Sequence, residues 1–446
     1  MTDPSEPLSA TPADRTTWLA SDRPLARLVA RPLAQFLHVE AAGGVLLLAA
    51  TVVALLWANS PWQDAYHDLW STEAVIRVGS FEVAESLRSW VNDGLMAVFF
   101  FVVGLEIKRE LVTGDLRDRQ AALLPALAAV GGMLVPAGIY AAINAGGDGS
   151  AGWGIPMATD IAFAVGVLAL LGDRVPAPAK VLLLALAIVD DIGAILVIAV
   201  FYRSDLHLGW LAGALGGLAV VIGLRRVRVW YLPIYITLGI VIWWCMFRSG
   251  IHATLAGVVL GLLAPARPLL APSQSDRVLA RLSADTAITI DEVREASFAL
   301  RESVPVAERI EAALHPWSSY VIVPLFALAN AGVTLSWDRV SDAATSPITL
   351  GTVVGLVVGK PLGIVLAVAI AVWLGWARLP EGLDWRLVGG LGAVAGIGFT
   401  VSLFVSGLAF DDPLRQSQAT LGVLTASVSA AAVGALLFRT HRTRAT

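Results

Sequence analysis

The feature that most constrains this chain is the recurrence of apolar segments long enough to cross a lipid bilayer. In one of them, between Lys180 and Arg203, the only charged residues are Asp190 and Asp191. A helix needs about 20 apolar residues to cross the hydrocarbon core. Hydrophobic residues make up 57% of the sequence and charged residues only 15%, whereas soluble domains carry about 25% charged residues. The sequence therefore predicts an all-α polytopic membrane protein.

Hydropathy and charge together predict the number of spans and their direction. Twelve apolar segments are predicted to cross the membrane: 38–59, 90–112, 121–144, 154–172, 179–202, 208–224, 231–248, 250–264, 316–335, 348–375, 386–409 and 417–438. With the N-terminus in the cytoplasm, the inner segments carry 24 Lys and Arg residues and the outer segments 6. Because basic loops stay inside, both termini are predicted to be cytoplasmic.

Several segments lie outside these spans. Residues 1–35 have no long apolar run, so they are predicted to form a disordered cytoplasmic tail before a transmembrane domain at 36–440. Residues 266–313 are polar and charged and are predicted to be a cytoplasmic insertion. Glu73–Val83 alternates apolar and polar residues around a Gly-Ser pair, which predicts a β-hairpin on the outer face. The single cysteine, Cys245, leaves no disulfide framework.

The paired aspartates point to ion binding inside the membrane. A buried carboxylate is costly in a bilayer, and two adjacent ones also repel each other. Successive helical residues point about 100° apart, so one aspartate can face a water-filled cavity while the other faces a neighbouring helix. Lys360, deep in the tenth span, is the one basic residue outside the loops and tails, and it needs an acidic partner. A loop or helix end at the membrane surface is the alternative explanation of the pair.

Two other spans contain residues that can interrupt a helix. In the fourth, Pro156 withholds a backbone donor, and Thr159 and Asp160 can satisfy freed backbone groups. A capped helix start at the membrane surface explains this segment equally well. The glycines of Gly389–Gly407 in the eleventh span fit either a second interruption or a packing face of small residues. Matching interruptions in two halves indicate an inverted repeat around a midplane site.

These segments resemble the NhaA family of sodium/proton antiporters. The similarity extends from residue 36 to about residue 438. The stretches that carry it are MAVFFFVVGLEIKREL (Met96–Leu111), PMATDIAFAVGVLALLG (Pro156–Gly172), LALAIVDDIGAI (Leu184–Ile195), SGIHATLAGVVLG (Ser249–Gly261), LHPWSSYVIVPLFALANAGV (Leu314–Val333), VGKPLGI (Val358–Ile364) and AGIGFTVSLFVSGLAF (Ala395–Phe410).

The resemblance implies twelve spans in an inverted-topology repeat, with the discontinuous fourth and eleventh helices crossing at midplane. It implies that Asp191 is the main Na⁺ or Li⁺ ligand, with Asp190, Thr159 and Asp160 beside it. Lys360 then pairs with Asp190 and, with Asp160, compensates the charges of the helix ends. It further implies electrogenic exchange of cytoplasmic Na⁺ for external H⁺ in the bacterial inner membrane, and a homodimer through the 73–83 hairpin. No cofactor, catalytic residue or nucleic-acid partner is expected.

The response to pH is expected at the cytoplasmic mouth, where activity would rise at alkaline pH. The candidates are Glu106, Glu110, His252, Glu311 and His315, and an ordinary solvated charge is an equally good explanation for each. The tail and the insertion exceed the family pattern, and the insertion leads directly into two of these candidates.

Three other functions fit the residue pattern less well than antiport. A sodium-coupled symporter of a small solute would need room and polar groups for that solute beside the ion site. An intramembrane aspartyl protease would need its two aspartates on separate spans, and here they share one. A passive cation channel would not require Lys360 or the paired acids. The residue pattern favours antiport, in which Na⁺ and protons compete for the same carboxylates.

Overall fold

The protein is mostly helical. The computed structural model describes residues 42–440, except for 79–80, 203–205, 228, 230 and 271–288. The main helices are α1 (Ala42–Ala58), α2 (Gln63–Ser71), α3 (Met96–Val112), α4 (Arg119–Ile143), α5 (Ile161–Leu171), α6 (Ala177–Phe201), α7 (Leu208–Arg226), α8 (Leu232–Ser249), α9 (Thr254–Leu263), α10 (Ile290–Glu302), α11 (Val306–Trp317), α12 (Val323–Asn330), α13 (Trp337–Thr345), α14 (Pro347–Val354), α15 (Lys360–Trp373), α16 (Trp385–Ala395), α17 (Phe399–Ala409) and α18 (Pro413–Thr440).

Within the described residues, eight helical segments are long and apolar enough to cross a membrane. The number rises to ten if each of two sharply bent helix pairs counts as one span. One pair is α1 with α2, bent by 114°, and the other is α16 with α17, bent by 46°. Helices also lie at the second and eighth predicted spans, but α3 has 17 residues and α9 has 10. The multi-span architecture is confirmed, and the count of twelve stays a prediction.

Glycines allow two pairs of helices to pack backbone against backbone. Where α3 meets α9, a Cβ atom on Gly104 would lie 2.6 Å from the Val258 carbonyl oxygen. Where α4 meets α15, added Cβ atoms on Gly131 and Gly363 would collide with the opposite backbone. Small residues are the usual means of such close approach between helices in a membrane. The second contact fixes α15 against α4, and α15 begins with Lys360.

A two-stranded antiparallel sheet follows α2. Strand β1 (Glu73–Val78) pairs with β2 (Phe81–Ser86), and Glu73 lies opposite Ser86. The sheet extends three residues beyond the predicted hairpin, and its Gly79-Ser80 turn lies outside the described residues. The predicted position on the outer face stays a prediction.

The predicted cytoplasmic insertion at 266–313 stays a prediction, and its last residues lie in the helix that leads into the predicted ninth span. A continuous helical segment from Val306 to Asn330 contains α11, a π-helical turn and α12. It begins ten residues before the predicted ninth span, because its first turns are amphipathic and charged, which lowers their hydropathy. Of the rest of the insertion, 271–288 lie outside the described residues, as does the predicted tail at 1–35.

Candidate functional site

The two adjacent aspartates lie in the middle of α6, and both are buried. Asp190 is 0% exposed and Asp191 5% exposed. The helix runs through both without interruption, so their side chains leave the helix in directions about 100° apart. This difference in direction gives the two carboxylates different neighbours.

Asp190 contacts the lysine of the tenth predicted span. The Nζ atom of Lys360 lies 2.6 Å from Asp190 Oδ2, and both side chains are 0% exposed. The same ammonium group donates to the backbone carbonyl of Met157. Lys360 follows a π-helical segment, Gly355–Gly359, an irregularity that is frequent at functional sites. A buried ammonium therefore joins α6 to the end of the Ser150–Met157 helical turn.

Two helical segments are interrupted where they meet beside this pair. The 3₁₀ segment Ser150–Met157 ends, the chain is extended at Ala158, and α5 begins at Ile161. The segment that contains α16 and α17 is non-helical at Ile397 and Gly398. The two interruptions are joined directly, since the Asp160 backbone N–H donates to the Ile397 carbonyl over 2.7 Å.

Asp160 caps the second half-helix of each interrupted segment. Its Oδ1 atom accepts from the Phe163 backbone N–H at 2.9 Å, at the start of α5. Its Oδ2 atom accepts from the Thr400 N–H at 3.0 Å and from the Thr400 hydroxyl at 2.6 Å, at the start of α17. Helix N-termini carry partial positive charge and N–H groups without helical partners. One carboxylate therefore satisfies two helix N-termini at once.

Thr159 lies between Asp190 and the end of α16. Its hydroxyl oxygen is 2.7 Å from Asp190 Oδ2 and 2.9 Å from the Ala395 carbonyl oxygen. A hydroxyl has a single proton to donate, and the carbonyl can only accept. Thr159 can therefore donate to only one of these two partners at a time.

The Oδ1 atoms of both α6 aspartates are buried, and neither has a hydrogen-bond partner among the described residues. A buried carboxylate oxygen without a partner is costly, so binding a proton or a cation there would lower its energy. Among the same residues, no group of three or more His, Cys, Asp or Glu side chains could hold a metal ion. Two carboxylates with nearby hydroxyl and carbonyl oxygens suit an ion that is bound and released.

Four of the five proposed pH-response residues lie on α3 and α11. Arg109 forms an ion pair with Glu311, which is 7% exposed, and approaches Glu110 at 3.5 Å. Glu106 is half-buried one turn before Glu110 on α3. His315 is exposed one turn after Glu311 on α11. The structure thus brings acids from two distant parts of the chain around one arginine.

His252 lies elsewhere. It lines a polar cavity of about 180 Å³ together with Ser89, Asn92, Asp93 and Asn330. In the wall of this cavity the side-chain amides of Asn92 and Asn330 bond each other. Asn92 Nδ2 donates to Asn330 Oδ1 at 3.2 Å, and Asn330 Nδ2 donates to Asn92 Oδ1 at 2.8 Å. Glu106, Glu311 and His315 do not line this cavity.

Residue patterns did not identify three of the groups that complete the crossing. They are the Thr400 side chain and the backbone carbonyls of Met157 and Ala395. Thr400 directly follows the glycine-rich interruption, so its place in the first turn of a half-helix was a usable signal. Backbone carbonyls carry no side-chain signal, and their exposure depends on where each helix stops.

The known proteins that this chain resembles are Na⁺/H⁺ antiporters. A family profile described as Na⁺/H⁺ antiporter 1 matches residues 34–438. Na(+)/H(+) antiporter NhaA 2 of Sorangium cellulosum is 50% identical over 437 residues, which are 95% of this chain and 93% of that protein. Na(+)/H(+) antiporter NhaA 3 of Frankia alni is 48% identical over 92% of this chain and 89% of its own. Na(+)/H(+) antiporter NhaA of Oleidesulfovibrio alaskensis is 45% identical, with 94% and 96% covered.

Proposed function

This chain belongs to the Na⁺/H⁺ antiporter 1 family, and from that premise we propose that Asp190 and Asp191 form the site at which it exchanges Na⁺ for H⁺. The protein is a secondary transporter rather than an enzyme, and its relatives are antiporters and not symporters. The observation that carries the assignment is the buried pair beside the crossing, with Lys360 on Asp190 and, among the described residues, a buried oxygen without a hydrogen-bond partner on each carboxylate.

The two aspartates have different roles in this proposal. Asp191 binds either Na⁺ or a proton, because burial and the charge of its neighbour disfavour an ionised carboxylate without a bound cation. Asp190 is held by Lys360 and supports the site electrostatically. Na⁺ is a hard cation that prefers oxygen ligands. The Thr159 hydroxyl oxygen, 2.7 Å from Asp190 Oδ2, adds an oxygen beside the carboxylates. The same oxygen set would bind Li⁺.

Thr159 links the charge of Asp190 to the end of α16. When Asp190 is ionised, its Oδ2 atom can accept the Thr159 hydroxyl proton. When Asp190 is protonated, it can donate to Thr159, and the hydroxyl proton then goes to the Ala395 carbonyl. The two distances of 2.7 and 2.9 Å allow both arrangements. Protonation would in this way change a hydrogen bond at a helix interruption.

Transport requires that the site open to each side of the membrane in turn. We propose that the interrupted segments belong to the two halves of an inverted repeat, which rock against each other around the aspartates. Electrogenic exchange needs more than one proton for each Na⁺, and the Asp190–Lys360 pair offers a second protonatable centre. We propose that both termini lie in the cytoplasm, on the strength of the basic inner loops. The resemblance to the NhaA family is what supports a place in the bacterial inner membrane.

The cluster around Arg109 is proposed to set the response to pH. It contains Glu106, Glu110 and Glu311, and His315 lies on the same helix as Glu311. Neutralising Glu311 would release Arg109 and loosen the contact between α3 and α11. His252 is placed in the polar cavity and not in this cluster, so a role for it would be separate. Glu311→Gln should shift the pH profile of exchange, and an unchanged profile would contradict the proposal.

We also propose a homodimer in which the β1–β2 hairpins of two copies contact each other. The hairpin projects an exposed two-stranded edge, and Val75 and Ile76 are about half exposed. Exposed strand edges pair readily with another chain. Native mass spectrometry of a variant without residues 74–85 should detect monomers, and a persistent dimer would show that the contact lies elsewhere.

The test of the ion site is the variant Asp191→Asn in proteoliposomes. Asparagine keeps the shape but removes the negative charge, so Na⁺-driven proton movement should fall below detection. Asp342→Asn, at an exposed position on α13, is the control and should exchange at the parental rate. Unfolding temperatures of both variants should match the parent. Exchange retained by Asp191→Asn would refute the assignment.

A further inference from the structure

Helix α10, in the part of the insertion that the structure describes, presents four differently composed sides. Ala296 and Ala299 are buried and define one side. At about 100° for each residue, the apolar residues Val293 and Leu300 fall about a quarter turn from that side, and Ile290 falls further round in the same direction. They are 74%, 51% and 45% exposed. We call these three residues the apolar stripe.

The charged residues of α10 are ordered around the same helix. Two arginines, Arg294 and Arg301, lie directly beside Ile290 and about a quarter turn or slightly more from Val293 and Leu300. The acids Asp291, Glu295 and Glu302 lie about another quarter turn further, away from the stripe. Phe298, which is 57% exposed, falls between the arginines and the acids and is not part of the stripe. Basic residues therefore border the stripe and three of the acids lie opposite to it. The fourth acid, Glu292, lies on the side of the buried alanines and accepts from Thr289 at the start of the helix.

The end of α10 is held at the level where the membrane-spanning helices begin. The Glu302 carbonyl accepts from the backbone N–H groups of Leu269 and Leu270 at 3.0 and 3.1 Å, just after α9 ends. The Glu302 side chain pairs with Arg309 of α11 at 3.0 Å. Ala307, five residues after Glu302, packs against Leu105 of α3. The helix is thus attached to the segment after α9 and to the start of α11, which itself packs against α3.

We propose that α10 lies on the cytoplasmic leaflet of the bilayer, with the apolar stripe inserted and the two arginines at anionic lipid headgroups. A helix that is apolar on one side and basic beside it binds at a membrane interface. Arginine side chains extend their charge from such a position to headgroups, and the cytoplasmic leaflet is negatively charged. The ion pair of Arg294 with Asp291, 3.6 Å long and fully at the surface, competes only weakly. The leaflet follows from the orientation proposed above, and the lipid contact goes beyond the exchange reaction.

Spin labels on the full-length protein test this contact without relying on transport. The background is Cys245→Ser, and the labelled variants are Val293→Cys and Leu300→Cys in the stripe and Glu295→Cys on the acidic side as the matched control. In nanodiscs that contain phosphatidylglycerol, relaxation by oxygen should exceed relaxation by a water-soluble nickel chelate at 293 and 300. The order should be reversed at 295. Equal access of the nickel chelate to all three positions would overturn the proposal.

Two further outcomes are decisive. If both reagents are excluded from 293 and 300, the stripe is covered by protein, either this chain or a second copy, and the proposal is wrong. The arginines are tested by adding Arg294→Gln and Arg301→Gln, or by using nanodiscs of phosphatidylcholine alone. Each change should reduce the oxygen preference at both stripe positions. An unchanged preference would contradict a role for anionic headgroups.

Discussion

Adjacent residues of one helix have different chemical surroundings in this protein. Both carboxylates have a buried Oδ1 atom without a hydrogen-bond partner among the described residues, but only Asp190 accepts from Lys360 and contacts Thr159 through its Oδ2 atom. Charges buried in a membrane protein are tolerated when they pair or face a functional cavity. Lys360 pairs with Asp190 and not with Asp191, which is why we assign ion binding to Asp191 and electrostatic support to Asp190.

Replacing Lys360 should show how much the Asp190–Lys360 ion pair stabilises the fold. Lys360→Ala leaves Asp190 without its cation, and breaking a buried ion pair in this way costs about 3–5 kcal/mol. We expect a lower unfolding temperature for Lys360→Ala in detergent, less so at acidic pH, where Asp190 can take up a proton. Lys180→Ala, at an exposed position on α6, should leave stability unchanged.

A double variant distinguishes loss of the pair from loss of packing. Asp190→Asn combined with Lys360→Ala removes both charges, so it should recover much of the stability lost in Lys360→Ala. A double variant as unstable as the single one would mean that the aliphatic part of Lys360, and not its charge, matters.

At the scale of elements, the site depends on where helices stop. The two interruptions allow Thr400 to donate to Asp160 and Thr159 to donate to the Ala395 carbonyl, and they leave the Met157 carbonyl free to accept from Lys360 on α15. An uninterrupted helix would use these backbone groups internally. The interruption in α16–α17 also packs closely on the segment before α15, because a Cβ on Gly396 would collide with the Leu356 carbonyl.

Gly396→Ala should therefore disturb the position of Lys360. The added methyl group must displace the Leu356 backbone, and overpacking of this kind costs about 1–3 kcal/mol. We expect a lower unfolding temperature and slower Na⁺/H⁺ exchange. Gly389→Ala, in the helix that ends just before Gly396, is the matched control, since nothing lies within 4 Å of its added Cβ, and it should be neutral or slightly stabilising. Equal behaviour of the two variants would contradict this account of the crossing.

At the scale of the whole molecule, competition for one site links transport to pH. If a proton must leave Asp191 before Na⁺ binds, the apparent KM for Na⁺ should rise about tenfold for each unit of falling pH while the site is mostly protonated. The maximal rate should change much less over the same range. Initial rates in proteoliposomes, measured at several pH values and Na⁺ concentrations, check this. A KM that does not depend on pH would exclude direct competition.

Local sequence patterns were sufficient to predict most of the helices and the hairpin, and the quoted motifs were sufficient to recognise the family. Apolar runs predict helices because backbone groups in lipid must bond within their own segment, and alternation around a turn predicts the hairpin. The aspartate pair and Lys360 stood out because charge is rare at membrane depth. Local hydropathy was less informative at Val306–Trp317, where charged first turns hide the start of a long helix.

The partners of the polar groups were decided by tertiary structure alone. Asp160 and Thr400 are 240 residues apart, and Lys360 is 170 residues from Asp190. The residue pattern left open which aspartate the lysine meets; the resemblance implied Asp190, and close packing of α15 on α4 brings the lysine to it. Hydropathy and periodicity are properties of a segment, and they determine what that segment forms. Which buried charges meet depends on how distant segments pack, and only the folded arrangement determines that.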